Sequence, residues 1–263
     1  MANSSFPIGV FDSGIGGTSI WKEINKLLPN EDSIYLSDSK NAPYGSKGKE
    51  RIIELAIKNT EFLLNQNCKL IVVACNTATT NAISFLRQSY DVPFIGIEPA
   101  IKPASIKTKS KVVGILATKG TLNSELFAKT SRSLNDDIII EEQVGTGLVE
   151  LIENGQIESE EMTQLLKSYI DPLLDKNADC LVLGCTHYPY LIPQIRKIVG
   201  DDFPIIDSGE AVARQTKNIL IQNDILSPNT SKGSHSFYIN TKKEILNRFV
   251  SETKLITVKE LDF

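Results

Sequence analysis

Two cysteines occupy equivalent places in two similar stretches of the sequence. Cys75 follows the apolar segment 71–74, and Cys185, which lies 110 residues later, follows the apolar segment 181–184. In each case a threonine-containing turn and then a helical pattern come next. Short apolar runs of this kind predict buried strands. Because open α/β sheets bind ligands at the carboxyl ends of their strands, both thiols are expected to lie in a binding site.

A pair of thiols placed in this way suits proton transfer at a carbon atom. We expect a thiol beside a helix N-terminus to have a pKa below about 8.5, because the backbone dipoles favour the thiolate. Such a thiol acts as a general base when ionised and as a general acid when protonated. Inversion of a stereocentre by deprotonation needs both roles, on opposite faces of the carbon, since a single base tends to return its proton to the same side.

The remaining cysteines and the histidines do not suggest a metal centre. Cys68 and Cys180 precede their strands and are expected to fill the core. Zinc sites usually carry closely spaced cysteine pairs, whereas the only histidines here are His187 and His235. We therefore predict no metal site. Four cysteines in 263 residues also suit a reducing cytoplasm.

The bulk composition excludes several classes of protein. A net charge of −4 argues against nucleic acid as the main partner, because phosphate binding needs a concentrated basic surface. No apolar run approaches the roughly 18 residues of a membrane span. The first seven residues show no basic targeting segment. We expect a cytoplasmic protein with neither nucleic acid nor membrane as a partner.

The order of predicted elements indicates an α/β protein with mainly parallel sheets. Strands are predicted at 8–11, 33–37, 70–74, 94–97, 111–117, 138–143, 180–184 and 204–206. Helices are predicted at 49–65, 81–89, 124–133, 159–176 (with Pro172 kinking or restarting it) and 192–199. The expected fold is two similar doubly wound domains with the active site in the cleft between them. The predicted boundaries are residues 1–98 plus 210–263 for the N-terminal domain, to which the C-terminal segment returns, and 99–209 for the second.

Four segments resemble the signature segments of glutamate racemases: 11–17, 43–45, 74–78 and 184–189. They occur in that family's order over roughly residues 6 to 215. The resemblance implies a cofactor-independent enzyme that interconverts L- and D-glutamate without pyridoxal. It also implies a role in supplying D-glutamate for peptidoglycan of the bacterial cell wall. In this interpretation Cys75 takes the α-proton from D-glutamate, and Cys185 takes it from L-glutamate.

The same resemblance implies roles for residues around the thiols. Asp12 matches an acid near the first cysteine, although an aspartate here also suits the cap of the next helix. His187 matches a histidine that assists the second thiol. Glu153 matches a glutamate near the site, with Glu150 one turn away as the alternative. The expected substrate contacts are Asp12, Ser13, Pro43, Tyr44, Gly45, Cys75, Asn76, Thr77, Thr118, Thr121, Glu153, Cys185, Thr186 and His187.

Some of these assignments have a local structural alternative. Thr118 and Thr121 suit helix capping nearly as well as substrate contact. Asp38, which precedes the pocket loop, is equally typical of a turn. The segment 37–42 departs from the family pattern. A homodimer is expected. Because the N-terminus lacks the extension of members regulated by a cell-wall precursor, we expect no such activation.

Three other functions remain alternatives. The same chemistry on aspartate is disfavoured because relatives acting on aspartate usually have glutamate where this chain has His187. A phosphate-binding module using the loop 14–17 is disfavoured because its glycines miss the G-x-G-x-x-G spacing. A cysteine hydrolase would use one thiol to attack a carbonyl, which leaves the second strand-end cysteine without a role.

Overall fold

A computed structural model describes residues 3–134 and 137–263. Ten strands form the framework of this described part of the chain. The strands are β1 (Ile8–Asp12), β2 (Ser33–Ser37), β3 (Leu70–Val73), β4 (Phe94–Gly96), β5 (Val112–Ala117), β6 (Ile139–Val144), β7 (Cys180–Gly184), β8 (Ile205–Ile206), β9 (His235–Ile239) and β10 (Ile256–Glu260).

Helices alternate with these strands. They are α1 (Thr18–Leu27), α2 (Lys49–Asn65), α3 (Asn76–Ser89), α4 (Ile101–Lys107), α5 (Lys119–Leu122), α6 (Glu125–Arg132), α7 (Leu148–Glu153), α8 (Glu160–Asp175), α9 (Ile192–Val199), α10 (Gly209–Gln222) and α11 (Lys243–Asn247). Three short 3₁₀ turns lie at Ser39–Asn41, Tyr44–Ser46 and Tyr188–Leu191.

The strands pair into two parallel sheets with a shared pattern. The first sheet has the order β10-β9-β2-β1-β3-β4, and the second has the order β6-β5-β7-β8. Every pair is parallel. In both sheets the first strand along the chain lies between the second and the third. The direction in which successive strands are added therefore reverses between β1 and β3 in one sheet, and between β5 and β7 in the other. These are the switch points where α/β sheets bind ligands.

The central strands are buried on both faces, as helix-covered parallel sheets require. All residues of β1, β3, β5 and β7 are buried, and most of them are apolar. The two strands that end next to the cysteines, β3 and β7, therefore have rigid ends that fix where the following residues lie.

The fold class predicted from the sequence is confirmed, with local differences. Helix α3 begins at Asn76, five residues earlier than predicted. The short helices α4 and α7 were not predicted. Helix α8 continues through Pro172, so it does not restart there. Strands β9 and β10 extend the first sheet. The domain boundaries at 98/99 and 209/210 stay a prediction.

Candidate active site

A small cavity lies where the ends of both sheets meet. Its walls come from the segments that follow β1, β2, β3, β5, β6 and β7, so both switch points contribute. Eleven of its twelve lining residues belong to the set predicted from the sequence, and Val149 is the exception. The lining residues are Ser13, Pro43, Tyr44, Gly45, Cys75, Asn76, Thr77, Thr118, Val149, Cys185, Thr186 and His187.

Cys75 is the N-cap residue of helix α3 on one side of the cavity. Its Sγ accepts a hydrogen bond from the Ala78 backbone N–H at 3.4 Å, and its thiol donates to Ser13 Oγ at 3.6 Å. Burial nevertheless raises the pKa of Cys75 far above its ordinary value, and the Asp12 carboxylate raises it further. The predicted lowering of the Cys75 pKa by the helix N-terminus is therefore wrong. Desolvation of the thiolate outweighs the single N–H bond.

Cys185 lies on the other side of the cavity beside a buried histidine–glutamate pair. Its Sγ is 3.8 Å from His187 Nδ1, and His187 Nε2 is 2.7 Å from Glu153 Oε1. Burial alone would lower the pKa of His187, but its hydrogen bonds with Cys185 and Glu153 raise it well above the usual value. His187 therefore joins the Cys185 thiol to the Glu153 carboxylate.

Glu153 holds His187 from behind the cavity wall. Its Oε1 also accepts the Ile15 backbone N–H at 2.8 Å, and its Oε2 accepts the Ser39 hydroxyl at 3.0 Å. Glu150 is exposed. In the described parts of the chain its side chain forms no hydrogen bond with Cys185 or His187. Of the two glutamates considered from the sequence, Glu153 is therefore the one at the site.

Asp12 is fully buried at the end of β1 and lies behind the cavity rather than in its lining. Its Oδ2 accepts the Gly17 backbone N–H at 2.8 Å, and its Oδ1 accepts the Thr186 hydroxyl at 3.3 Å. Burial raises the pKa of Asp12, and the nearby charge of His187 offsets only part of that rise. Asp12 therefore accepts a hydrogen bond at the start of helix α1, as the capping alternative predicts. Its charge also raises the pKa of Cys75.

Three threonine hydroxyls close one end of the cavity. The Thr77 and Thr118 hydroxyls are 2.7 Å apart, and the Thr121 hydroxyl is 3.3 Å from the first and 3.0 Å from the second. Thr118 is also the N-cap of α5, where its Oγ1 accepts the Thr121 backbone N–H at 3.3 Å. Thr121 is fully buried and not part of the lining. Thr118 therefore both caps helix α5 and helps to close the cavity.

The pocket loop 43–45 is held by a buried network. The Tyr44 hydroxyl donates to Asp38 Oδ2 at 2.5 Å and accepts from Asn59 Nδ2 at 3.2 Å. Asn41 Nδ2 donates to the other oxygen of Asp38 at 2.8 Å. Asp38 therefore positions the loop through Tyr44 instead of lining the cavity itself.

Asn76 presents an unpaired amide to the cavity. The residue is 2% exposed, and neither its Nδ2 nor its Oδ1 has a hydrogen-bond partner among residues 3–134 and 137–263. Leaving a buried amide unpaired is costly, so a bound polar ligand would satisfy it. Within the part of the chain that the structure describes, no lining residue is lysine or arginine. Anionic groups of a ligand therefore meet hydroxyls, backbone N–H groups, the amide and the imidazole.

An outer depression adjoins the cavity. The two share Pro43, Gly45, Thr118 and Val149. Val149 could not be recognised from sequence, because it is one apolar residue in a short apolar helix.

Known proteins are similar to this chain over most of its length. A family described as Asp/Glu/Hydantoin racemase matches residues 8–216. This chain belongs to that racemase family. It is 46% identical over 228 residues to a glutamate racemase of Herpetosiphon aurantiacus, covering 87% of this chain and 90% of that protein.

Solved members of the racemase family share the fold. Glutamate racemase isoform RacE1 from Bacillus anthracis has a TM-score of 0.87 and 32% identity, covering 98% of this chain and 97% of that one. Glutamate racemase from Francisella tularensis, solved in complex with D-glutamate, has a TM-score of 0.84 and 31% identity, covering 98% of each chain.

No group of three or more histidine, cysteine, aspartate or glutamate side chains in residues 3–134 and 137–263 is arranged to hold a metal ion. None of the helices in these residues is long and apolar enough to cross a membrane.

Proposed function

We propose that this protein interconverts L- and D-glutamate without a cofactor by moving the α-proton between Cys75 and Cys185. The observation that carries the proposal is that both thiols line one cavity, each after the third strand of its own sheet. A substrate held between them exposes one face of its α-carbon to each sulfur.

The surroundings of the two sulfurs differ. Cys75 lies in a fully buried position near Asp12, and both the burial and the carboxylate raise its pKa, which keeps the proton on the sulfur. Cys185 lies beside His187, whose Nδ1 is 3.8 Å from the sulfur. The two roles are distributed accordingly for L-glutamate, with Cys185 as the base and Cys75 as the acid.

The reaction then follows from this distribution. The Cys185 thiolate takes the α-proton of L-glutamate, and the electron pair of the broken C–H bond stays on the substrate, delocalised into its carboxylate. The Cys75 thiol donates its proton to the opposite face, which gives D-glutamate. In the reverse direction the Cys75 thiolate is the base and the Cys185 thiol is the acid. No net proton is gained or lost.

The polar lining suits a small zwitterion with an additional carboxylate. The unpaired Asn76 amide offers both a donor and an acceptor, and Ser13, Thr77 and Thr186 offer hydroxyls. Glutamate is favoured over aspartate because the relatives at 44–50% identity are named glutamate racemases. The Francisella tularensis relative was solved with D-glutamate bound. His187 occupies the position where aspartate-specific relatives are expected to carry glutamate.

The cellular setting is part of the same proposal. The enzyme supplies D-glutamate for peptidoglycan in the cytoplasm, acts as a homodimer, and has neither nucleic acid nor a membrane as a partner. The net charge of −4 supports the statement about nucleic acid.

The proposal is tested by incubating the protein with L- or D-glutamate in D2O in the presence of a chelator and after borohydride treatment. Circular dichroism should decay to zero from either enantiomer while deuterium enters at the α-carbon. Cys75→Ala and Cys185→Ala should each abolish racemisation. Cys68→Ala and Cys180→Ala, which remove buried thiols elsewhere, are matched controls and should remain active. Full racemisation by either of the first two variants would refute the proposal.

A further inference from the structure

Ser39 makes a contact that reaches the reactive thiol through two other side chains. Its hydroxyl donates to Glu153 Oε2 at 3.0 Å. The other oxygen of that carboxylate is 2.7 Å from His187 Nε2, and His187 Nδ1 is 3.8 Å from Cys185 Sγ. Because Ser39 gives its only O–H to Glu153, its oxygen accepts from the Ser37 hydroxyl, 3.0 Å away. A continuous chain of hydrogen bonds thus runs from β2 to Cys185.

This chain crosses between the two sheets. Ser39 follows β2 of the first sheet, whereas Glu153 and His187 follow β6 and β7 of the second. The first sheet also supplies the Ile15 N–H to Oε1 of the same carboxylate at 2.8 Å. Both hydrogen bonds therefore reach the carboxylate from segments that follow strands of the first sheet. We call the two sheets with their following segments the two halves, and the state in which these contacts are made the closed state.

The backbone beside this carboxylate leaves no room for a side chain at residue 14. A Cβ added to Gly14 would lie 1.9 Å from Glu153 Oε1 and 3.1 Å from His187 Nε2. With Gly14 on one side and Ser39 on the other, the carboxylate plane is fixed. Oε1 therefore faces the imidazole.

We propose that Ser39 is a positioning residue, which orients Glu153 so that its carboxylate meets His187 beside Cys185 only in the closed enzyme. This inference rests on the two-thiol mechanism proposed above. Ser39 itself does not line the cavity. It couples closure of the two halves to the Glu153–His187 contact on the Cys185 side, and has no comparable contact to Cys75 in the described parts of the chain.

The kinetic test is Ser39→Ala, with Ser39→Thr as the conservative variant. Loss of a hydrogen bond to a charged group is expected to lower kcat/KM roughly 10-fold. The decrease must be equal for both enantiomers, because the equilibrium constant between them is one. Ser39→Thr keeps the hydroxyl and should retain most of the activity. Ser105→Ala, which removes an exposed hydroxyl bonded to the Lys102 carbonyl, is the matched control and should change nothing.

Isotope effects distinguish a positioning role of Ser39 from a general loss of structure in the variant. Ser39→Ala raises the barrier of the proton transfer at Cys185 and not the one at Cys75. The primary deuterium effect on kcat/KM should therefore increase with α-deuterated L-glutamate and decrease with α-deuterated D-glutamate. Equal changes for both substrates, or none, would show that Ser39 has only a structural role.

A spectroscopic readout tests the same contact independently of racemase activity. The chain has two histidines, so the His187 side-chain N–H resonance can be assigned with a His235→Gln variant. In wild type this proton should be shifted downfield and protected from exchange by Glu153. In Ser39→Ala it should move upfield and exchange faster. An unchanged resonance overturns the Ser39 proposal, whereas an inactive wild type overturns the proposed function and leaves this readout valid.

Discussion

The hydroxyl groups of Thr77 and Thr118 lie 2.7 Å apart and join the two halves of the molecule at the edge of the cavity. Thr77 follows β3 of the first sheet, and Thr118 follows β5 of the second. Together with the Asp12–Thr186 and Ser39–Glu153 contacts, this bond means that the site is complete only when the halves are closed.

Gly120→Ala should interfere with this closure. The added Cβ would lie 2.8 Å from Thr77 Cγ2 and 3.2 Å from Gly45 Cα, so the two loops must move apart. We expect a roughly 10-fold loss of kcat/KM, because small displacements of positioned groups are costly. Gly48→Ala is the matched control, since its Cβ would meet only Glu50 Oε2 at 3.7 Å. Steady-state kinetics in which both variants behave alike would argue against closure at this contact.

Asp12→Asn should make the Cys75 thiol easier to ionise. The Asp12 charge contributes to the raised pKa of Cys75, so its removal lowers that pKa while burial still keeps it high. Alkylation of Cys75 by iodoacetamide, mapped by mass spectrometry, should become faster. Racemisation should decrease about 100-fold if Asp12 relays the thiol proton. Asp137→Asn at an exposed ion pair is the control. An unchanged alkylation rate would show that Asp12 does not act on Cys75.

His187→Gln should change how stability depends on pH. The folded-state pKa of His187 is raised well above its usual value of 6.5, so its stabilising contribution is complete below that pH. The contribution is lost as pH rises through the folded pKa. Urea unfolding should therefore show a larger deficit for the variant at about pH 6 than at about pH 9. A deficit that is constant across this range would indicate that the imidazole is not charged in the folded protein.

Lys69→Met should destabilise the first sheet. Lys69 Nζ lies 2.6 Å from Glu31 Oε2, and the two side chains are 0% and 4% exposed. Breaking a buried pair leaves an uncompensated charge and is expected to cost about 3–5 kcal/mol of the free energy of unfolding. The double variant Lys69→Met with Glu31→Leu removes both charges and should recover most of that loss in urea unfolding. A double variant as unstable as the single one would contradict this account.

The sequence was sufficient to predict strands β1 to β8 and most of the cavity, because the apolar runs mark the strands and the polar residues after them mark the site. The apolar run before Cys75 and the one before Cys185 predict buried strands, and the residues that follow them line the site. Helix α3 was predicted to start too late because its first residues, Asn76 and Thr77, have weak helix propensity. The Cys75 side-chain cap starts the helix there instead.

Other features depend on contacts between distant segments and left no local pattern. Val149 enters the cavity on a six-residue helix that is too short to be recognised by periodicity. Ser39 acts through a carboxylate 114 residues away in the sequence. The raised pKa of Cys75 results from burial by both halves, which outweighs the helix N-terminus that is visible in the sequence.

The most direct measurement follows exchange of the substrate α-proton with D2O by NMR in the two single-thiol variants. Cys75→Ala keeps the base for L-glutamate, so it should exchange the α-proton of L-glutamate and not that of D-glutamate, without racemisation. Cys185→Ala should show the opposite preference. If either variant exchanges both enantiomers, or if both prefer the same one, the two sulfurs do not address opposite faces of one carbon.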